Sequence, residues 1–131
     1  MLFFIPYVGI DSVRFGMSES EIVASCGAPN VIMKNFLEER KLIYKKFVPE
    51  FDEYGLAEIT LDHRNLACIY EFVISDNYES INVLLNIYND YLICHEKYII
   101  NSIGLSICSS ESPYPLTAYR RYRMDSIIAK S

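Results

Sequence analysis

Apolar and polar positions along the chain fall into short blocks, and the sharpest block boundary lies at Ser18. Ser18 followed by Glu21 forms a capping box, the pattern that satisfies backbone N–H groups at the start of a helix. A short apolar stripe follows. Gly27 and Pro29 then end the helix, because glycine tolerates a left-handed backbone and proline cannot continue the hydrogen bonds. The pattern predicts a helix over residues 18–26.

Most other segments alternate apolar and polar residues with a period of two, which is typical of β-strands. We expect strands where this alternation meets β-branched and aromatic residues, at residues 3–8, 10–15, 41–48, 57–61, 66–74, 103–108 and 116–128. Two segments rich in turn-forming residues are predicted as loops, namely the acidic residues 49–55, with a turn at Gly55, and residues 109–115.

Residues 76–92 change to a longer period. Their apolar residues recur at intervals of three and four, which is the spacing of one helix face, at Ile81, Leu84, Leu85 and Tyr88. Asp76 and Glu79 offer a capping box at the start of such a helix. A strand through residues 81–87 also fits the pattern, so both interpretations stay open for this segment.

This order of elements predicts one α+β domain spanning residues 1–131. A chain of 131 residues suits a single domain, and neither an internal repeat nor a linker-like stretch divides it. Consecutive strands with short connections favour an antiparallel sheet over a parallel one. We therefore expect a mainly antiparallel β-sheet with one short N-terminal helix and one further helix.

Composition excludes several classes of protein. With 51% hydrophobic and 22% charged residues the chain is not intrinsically disordered, and five glycines and five prolines exclude a fibrous chain. The first residues are apolar but lack the basic region and cleavage site of a signal peptide. No apolar run approaches the roughly 20 residues of a membrane-spanning helix. We expect a cytoplasmic protein that contacts no membrane.

The four cysteines lack the spacing of a metal or redox site. Cys26, Cys68, Cys94 and Cys108 include no Cys-x-x-Cys pair. We expect four buried, reduced thiols, as is usual in cytosolic proteins, and keep two disulfides in a secreted domain as the alternative.

The histidines give no clear catalytic or metal site. Cys94 and His95 are sequence neighbours, but a strand would point them to opposite faces, so they form a poor nucleophile–base pair. His63 is expected to be exposed in a polar turn, and His95 to lie at the edge of the core. Neighbouring residues of a strand also point to opposite faces, which separates Asp62 from His63 and His95 from Glu96 as ligands for one metal ion. No phosphate-binding or nucleophile-elbow motif occurs, so we expect no enzyme, no cofactor and no metal.

Charge is distributed unevenly along the chain. Twelve basic and seventeen acidic residues give a net charge of −5, yet residues 47–96 hold ten acids and a single Lys or Arg, Arg64. The rest of the chain is net basic, so the acids are concentrated in this middle block. A negative surface of this kind repels nucleic acid and speeds association with a cationic protein.

A basic cluster near the C-terminus has two interpretations. It consists of Arg120, Arg121 and Arg123 interleaved with Tyr119 and Tyr122. Mixed cations and aromatic rings are typical of platforms for single-stranded nucleic acid. Given the acidic background, we favour arginines that pair with acids of a neighbouring strand, and we expect no nucleic-acid partner.

Residues 9–29 resemble a recurring strand–helix pattern. A strand leads into Gly16-Met17-Ser18, a short helix follows, and Gly27-Ala28-Pro29 ends it. The pattern is similar to the opening of outer-membrane assembly lipoproteins and β-lactamase-inhibitor-like folds. It also resembles bacterial immunity proteins that neutralise toxins of contact-dependent growth inhibition and related polymorphic systems. The missing lipobox cysteine and signal peptide depart from the secreted groups, which leaves the cytosolic immunity proteins.

Together, the resemblance and the acidic block predict an immunity protein that binds and covers a cognate toxin domain, expected to be basic because many such toxins are basic nucleases. The resemblance carries over no residue roles, so the contact residues are chosen by charge and by the preference of aromatic residues for interfaces. The first expected contact surface combines carboxylates with the aromatic anchors Phe51 and Tyr54, and comprises Glu50, Phe51, Asp52, Glu53, Tyr54, Glu58 and Asp62. The second comprises Asp76, Tyr78 and Glu79.

Two alternatives of other classes stay open. A regulatory or scaffold domain would bind a different bacterial protein with no toxin involved. A small enzyme would use a Cys/His or carboxylate site, and thiols that react with an alkylating agent under native conditions would identify a thiol enzyme.

Overall fold

The computed structural model describes residues 2–35, 38–61, 67–69, 72–74, 78–108 and 116–130. It confirms the α+β fold, with three helices and mostly antiparallel strands among these residues. The helices are α1 (Glu19–Cys26), α2 (Tyr78–Ile87) and α3 (Arg121–Ala129). The strands are β1 (Leu2–Ile5), β2 (Gly9–Ile10), β3 (Val13–Arg14), β4 (Val31–Lys34), β5 (Arg40–Ile43), β6 (Phe47–Asp52), β7 (Gly55–Leu61), β8 (Ala67–Ile69), β9 (Phe72–Ile74), β10 (Leu92–Cys94), β11 (Lys97–Ile100), β12 (Leu105–Cys108) and β13 (Leu116–Tyr119).

The described strands form two sheets. The smaller sheet has the order β3-β2-β1-β8-β9, and its β1–β8 pair is parallel. The larger sheet has the order β10-β11-β12-β13-β7-β6-β5-β4, and all its pairs are antiparallel. Strands β10 and β4 are therefore its two edges.

One large hydrophobic core draws side chains from both sheets and from two of the helices. Ile10, Ile22, Leu56, Leu84 and Ile107 are all almost completely buried within it. A smaller cluster of Ile99, Tyr119 and Met124 seats α3 on the larger sheet. No helix in the described ranges is both long and apolar enough to cross a membrane.

The predicted N-terminal helix is confirmed together with its cap. The Glu21 N–H donates to the Ser18 hydroxyl, and the Ser18 N–H donates to Glu21 Oε1, each at 3.2 Å. Gly27 follows the last helical residue with a φ of +83°, a value that favours glycine. The helical interpretation of residues 76–92 is confirmed over Tyr78–Ile87, where α2 buries Ile81 and Leu84 on one face. Leu92 already begins β10, and the expected cap at Asp76 lies outside the described residues.

The segment 41–55 was predicted as one strand followed by a loop, and this is wrong. Strand β5 ends before a turn at residues 45–46, and β6 then continues through most of the supposed loop. The turn contains neither glycine nor proline. It is closed by a hydrogen bond from the Tyr44 N–H to the Phe47 carbonyl and by stacking of the two rings, whose centroids lie 5.4 Å apart. Sequence alternation continues across such a turn, so nothing marks it.

The predicted C-terminal strand over residues 116–128 is correct only up to Tyr119, after which α3 begins. Alternating basic and aromatic residues imitate a strand at this point. Met124, Ile127 and Ile128 instead follow the spacing of a helix, and they pack on the small cluster around Tyr119. Burial of this helical face decides the conformation.

Two further hairpins contain strands that the sequence patterns did not predict. One is the β4–β5 hairpin, in which β4 has only four residues and shows no alternation of apolar and polar residues. Strands β10 and β11 join through His95 and Glu96, whose φ values of 48° and 63° suit a tight two-residue turn but normally call for glycine or asparagine. His95 is exposed on this turn, which corrects its expected place at the core edge.

The predicted loop at 109–115 lies outside the described residues.

Removing the cap of α1 should lower stability without changing the fold. Ser18→Ala leaves the Glu21 N–H without its acceptor, and we expect the free energy of unfolding to fall by about 1 kcal/mol in urea titrations. Ser18→Asp restores an acceptor at the same position and should retain most of the wild-type stability. Equal losses in both variants would contradict the capping role.

Candidate functional site

The fold brings acids from the middle of the chain together with the C-terminal arginines. Strands β6 and β7 form a hairpin, and β13 pairs with the other side of β7. Tyr119, the last residue of β13, lies opposite Glu58 of β7. Helix α3 begins two residues later. The turn from β13 into α3 therefore places Arg120 and Arg123 next to Asp52 and Glu58 of the β6–β7 hairpin.

Arg123 joins two carboxylates through its guanidinium. Its Nη1 and Nη2 each donate to one oxygen of Glu39 at 2.9 Å, and its Nε donates to Glu58 Oε1 at 2.7 Å. The three side chains are only 16 to 21% exposed. Hydrogen bonds from Arg123 lower the pKa of Glu39, and the hydrogen bond to Glu39 raises the pKa of Arg123.

Arg120 fixes Asp52 and two aromatic rings. Its Nη2 donates to Asp52 Oδ2 at 2.5 Å, and its backbone N–H donates to the Ala57 carbonyl at 2.9 Å. The guanidinium carbon lies 5.4 Å from the Tyr54 ring centroid and 5.6 Å from that of Tyr122, within the range of a cation–π contact. The ion pair thus holds a cation between two tyrosines.

Glu50 is a half-buried carboxylate beside a second one. It lies directly opposite Glu58 in the β6–β7 ladder. Asn35 Nδ2 donates to Glu50 Oε1 at 2.7 Å and to Glu39 Oε1 at 3.1 Å, which connects the two acids. Burial, followed by the nearby charge of Glu58, raises the pKa of Glu50.

These contacts change the role of the first predicted contact surface. Asp52 and Glu58, expected to pair with a partner, are paired internally with the C-terminal arginines. The predicted pairing of the arginines with acids is confirmed for Arg120 and Arg123, although neither lies on a strand. Arg121 instead lies over the Tyr7 ring, 3.6 Å from its centroid. Phe51 was predicted as an exposed anchor and this is wrong, because its side chain is only 7% exposed and belongs to the core. Asp62 lies outside the described residues.

A cleft of about 610 Å³ opens beside the β6–β7 hairpin. Five carboxylates and one guanidinium lie among its lining residues, which are Ser18, Glu19, Glu38, Glu39, Arg40, Phe51, Asp52, Glu53 and Gly55. Arg40 Nε and Nη2 form a fork on the two Glu19 oxygens at 2.7 Å each, so this guanidinium is also engaged. The cleft wall is therefore acidic and held by paired charges.

Glu53 differs from the other acids of the cleft. It is exposed on the turn between β6 and β7, and no cation of the described residues lies within ion-pair distance of it. The charge of Glu53, followed by a hydrogen bond to its carboxylate, raises the pKa of the Tyr54 hydroxyl. Glu38, which also lines the cleft, lies 3.5 Å from Lys34 in an exposed ion pair, so Glu53 is the lining carboxylate to which the described residues offer no ion-pair partner.

Two exposed tyrosines lie beside this turn. Tyr54 is 59% exposed and Tyr122 63% exposed, and their rings meet edge-to-face with centroids 5.8 Å apart. Sequence reasoning proposed Tyr54 but missed Tyr122, because it placed residues 116–128 in a strand. The helical spacing of Met124, Ile127 and Ile128 would have placed Tyr122 away from the buried face.

The second predicted contact surface is not part of this cleft. Glu79 is exposed in the first turn of α2 and does not line the cavity. Tyr78 begins α2, but its side chain lies outside what the structure describes, as does the whole of Asp76. Only Glu79 of this surface therefore has a described environment.

Metal-ligating and thiol groups are dispersed in the described part of the chain. There, no three or more His, Cys, Asp or Glu side chains form a group that could hold a metal ion. All four cysteines are described, and no disulfide joins them. Cys68 is buried, whereas the other three are only half-buried, which corrects the expectation of four buried thiols. His63 lies outside the described residues.

Replacing Glu50 by glutamine should raise the free energy of unfolding at pH 7. Because the pKa of Glu50 is raised in the folded protein, its ionised form destabilises the fold above that pKa. The penalty disappears below the ordinary glutamate value of 4.5, where Glu50 is protonated in both states. Urea unfolding should therefore show a gain at pH 7 and none at about pH 3.5. An equal gain at both pH values would refute this electrostatic origin.

Removing the Arg123 guanidinium should strongly destabilise the protein at neutral pH. Arg123→Met leaves two largely buried carboxylates without a cation, and we expect a loss of about 2–3 kcal/mol at pH 7. Because the pKa of Glu39 is lowered in the folded protein, ionised Glu39 stabilises the fold at pH values above the ordinary glutamate pKa. This stabilisation is lost as the pH falls through the pKa of Glu39 in the folded protein. The difference from wild type should therefore shrink in acid. Lys130→Met, at an exposed position, should change stability by less than about 0.5 kcal/mol.

Comparisons with known proteins contribute no assignment to this site. No family model, no curated protein and no solved structure matches the chain. The resemblance of residues 9–29 to immunity proteins depends on those residues alone, and it carries no role into the cleft. The function is therefore argued from the geometry of the cleft and its two tyrosines.

Proposed function

We propose that the protein is an immunity protein that binds a cognate bacterial toxin domain at the acidic cleft and inhibits it by covering its surface. One observation carries the proposal: Glu53, at an acidic cleft of about 610 Å³, lies next to the exposed pair Tyr54 and Tyr122. The partner is a protein with a basic surface, since lysine or arginine side chains complement this combination.

The paired charges hold the cleft walls in fixed positions around Glu53. Asp52, Glu39 and Glu19 already have guanidinium partners, so their positions do not depend on the arrival of a ligand. A preorganised site loses little conformational entropy on binding. Glu53 adds a charge with no cation beside it, and the net charge of −5 supplies a wider negative field that speeds encounter with a basic partner.

The tyrosine pair supplies apolar contact area. Tyrosine is enriched at the centres of protein interfaces, because its ring is large and its side chain has few rotamers to lose. Tyr54 and Tyr122 are positioned by Arg120, which Asp52 holds in turn. The pair therefore presents two fixed rings to a partner.

The resemblance of residues 9–29 to immunity proteins supports an inhibitor rather than another protein-binding module. A regulatory or scaffold domain would use the same surface toward a different partner, so the surface alone does not separate the two. An adjacent reading frame that encodes a secreted protein with a basic C-terminal domain would favour the inhibitor. Co-expression of that domain with and without the present chain then measures protection of growth.

Charge reversal at Glu53 should weaken binding without disturbing the fold. With the adjacent basic domain as ligand, we expect Glu53→Lys to reduce affinity about tenfold at low ionic strength, mainly through a slower association rate. Glu79→Lys carries the same charge change on α2 and serves as the matched control. Reversal at Asp52 would instead break the Arg120 ion pair, so it is not a clean test.

Truncation at Tyr54 should act on the dissociation rate. Tyr54→Ala removes an exposed ring and is expected to reduce affinity about thirtyfold at any salt concentration, as for a central interface tyrosine. Surface plasmon resonance separates the two rates. If Glu79→Lys weakens binding while Glu53→Lys and Tyr54→Ala do not, the contact surface lies on α2 and the cleft proposal is wrong.

A further inference from the structure

Strand β4 is an open edge of the larger sheet with apolar side chains on both faces. It pairs only with β5, and no strand of the described residues lies along its other side. Val31, Ile32 and Met33 are 51 to 52% exposed, and Lys34 is exposed as well. Exposed apolar edges are uncommon in soluble proteins, because their unpaired backbone groups accept a further strand.

The outward backbone groups of β4 follow from the hairpin that it forms with β5. The Asn35 N–H donates to the Glu39 carbonyl at 2.9 Å, which closes the hairpin. Because antiparallel ladders alternate, Val31 and Met33 then direct their backbone groups toward β5. The N–H groups of Ile32 and Lys34 point away from the sheet and are available to an added strand.

Lysines surround this edge. Lys34 ends β4 and lies 3.5 Å from Glu38 in an exposed ion pair. Lys45 and Lys46 form the β5–β6 turn next to the other end of β4, where Val31 pairs with Ile43. No carboxylate of the described residues lies within ion-pair distance of Lys45 or Lys46. The edge is thus locally basic in a protein whose net charge is −5.

The placement of these charges disfavours a second copy of the chain as the occupant. A twofold antiparallel pairing of β4 with itself would place Lys34 of one copy, together with its partner Glu38, toward the Lys45–Lys46 turn of the other. Three lysines would then meet one carboxylate, and this excess of like charge opposes association. A segment that carries acidic residues at both ends would instead meet Lys45 and Lys46 at one end, and at the other end Lys34, for which it competes with Glu38.

We propose that β4 is a second binding site, at which an extended apolar segment flanked by acidic residues, donated by another protein, adds as an antiparallel strand. Main-chain hydrogen bonds to Ile32 and Lys34 supply affinity, and the flanking lysines select acidic ends. The site prefers the opposite charge from the cleft, so it does not depend on the proposed toxin-binding function and can stand if that function fails.

The test uses two fluorescein-labelled peptides with the same core, Val-Thr-Val-Thr-Val. One peptide is flanked by Asp-Glu at each end and the other by the uncharged pair Asn-Gln, and fluorescence anisotropy measures their binding to the full chain. We expect the acidic peptide to bind at least tenfold more tightly than the uncharged one at low salt. Ile32→Pro removes an outward N–H without removing a hydrogen bond to β5, and it should abolish binding, whereas Ile32→Val should retain it.

A charge variant keeps the test decisive if Ile32→Pro fails to fold. The double variant Lys45→Glu/Lys46→Glu should weaken the acidic peptide about five- to tenfold, and Lys97→Glu, on β11 near the far edge of the same sheet, should leave it unchanged. The proposal is overturned if neither peptide binds, if both bind equally, or if light scattering shows that wild-type chains dimerise and Ile32→Pro makes them monomeric.

Discussion

The structure depends on the guanidinium of Arg123, which lies between Glu39 and Glu58. The three residues belong to the β4–β5 hairpin, to β7 and to α3, so one side chain connects elements that are distant in sequence. Largely buried carboxylates are stable only when a cation and hydrogen bonds compensate their lost hydration. Arg123 supplies both, and Asn35 extends the network to Glu50.

This network divides the acidic residues into two groups with different roles. Glu39, Glu50, Asp52 and Glu58 are engaged inside the protein, and two of them, Glu39 and Asp52, line the cleft. Glu53 lies outside the network and keeps its charge available at the surface. Under the proposed function, recognition of a basic partner would require only a small number of exposed groups, because the internal pairs already hold the cleft walls in place.

The sequence predicted those features that local chemistry decides. The cap of α1 follows from Ser18 and Glu21 alone, and α2 follows from a periodic apolar face. Helix α3 was missed because burial of Met124 against Tyr119, a tertiary contact, overrides the strand-like alternation before it. The β10–β11 turn was missed because His95 and Glu96 adopt positive φ without glycine.

The candidate site was only half predictable for a similar reason. Charge composition indicated that the acids and the arginines would meet, but which acid pairs with which arginine depends on the β7–β13 register. Burial of Phe51 and exposure of Tyr122 likewise depend on how α3 docks. The choice of ion-pair partners and the burial of these side chains are set by the tertiary fold and have no signature in the local sequence.

Titration of the glutamate side-chain carboxyl carbons by NMR tests the central claim most directly. If Arg123 holds the acids inside the protein, Glu39 titrates below the ordinary glutamate value and Glu50 titrates above it. Both departures should diminish when the same titration is run on unfolded protein. Folded-state curves for Glu39 and Glu50 that coincide with each other and with the unfolded reference would contradict the account.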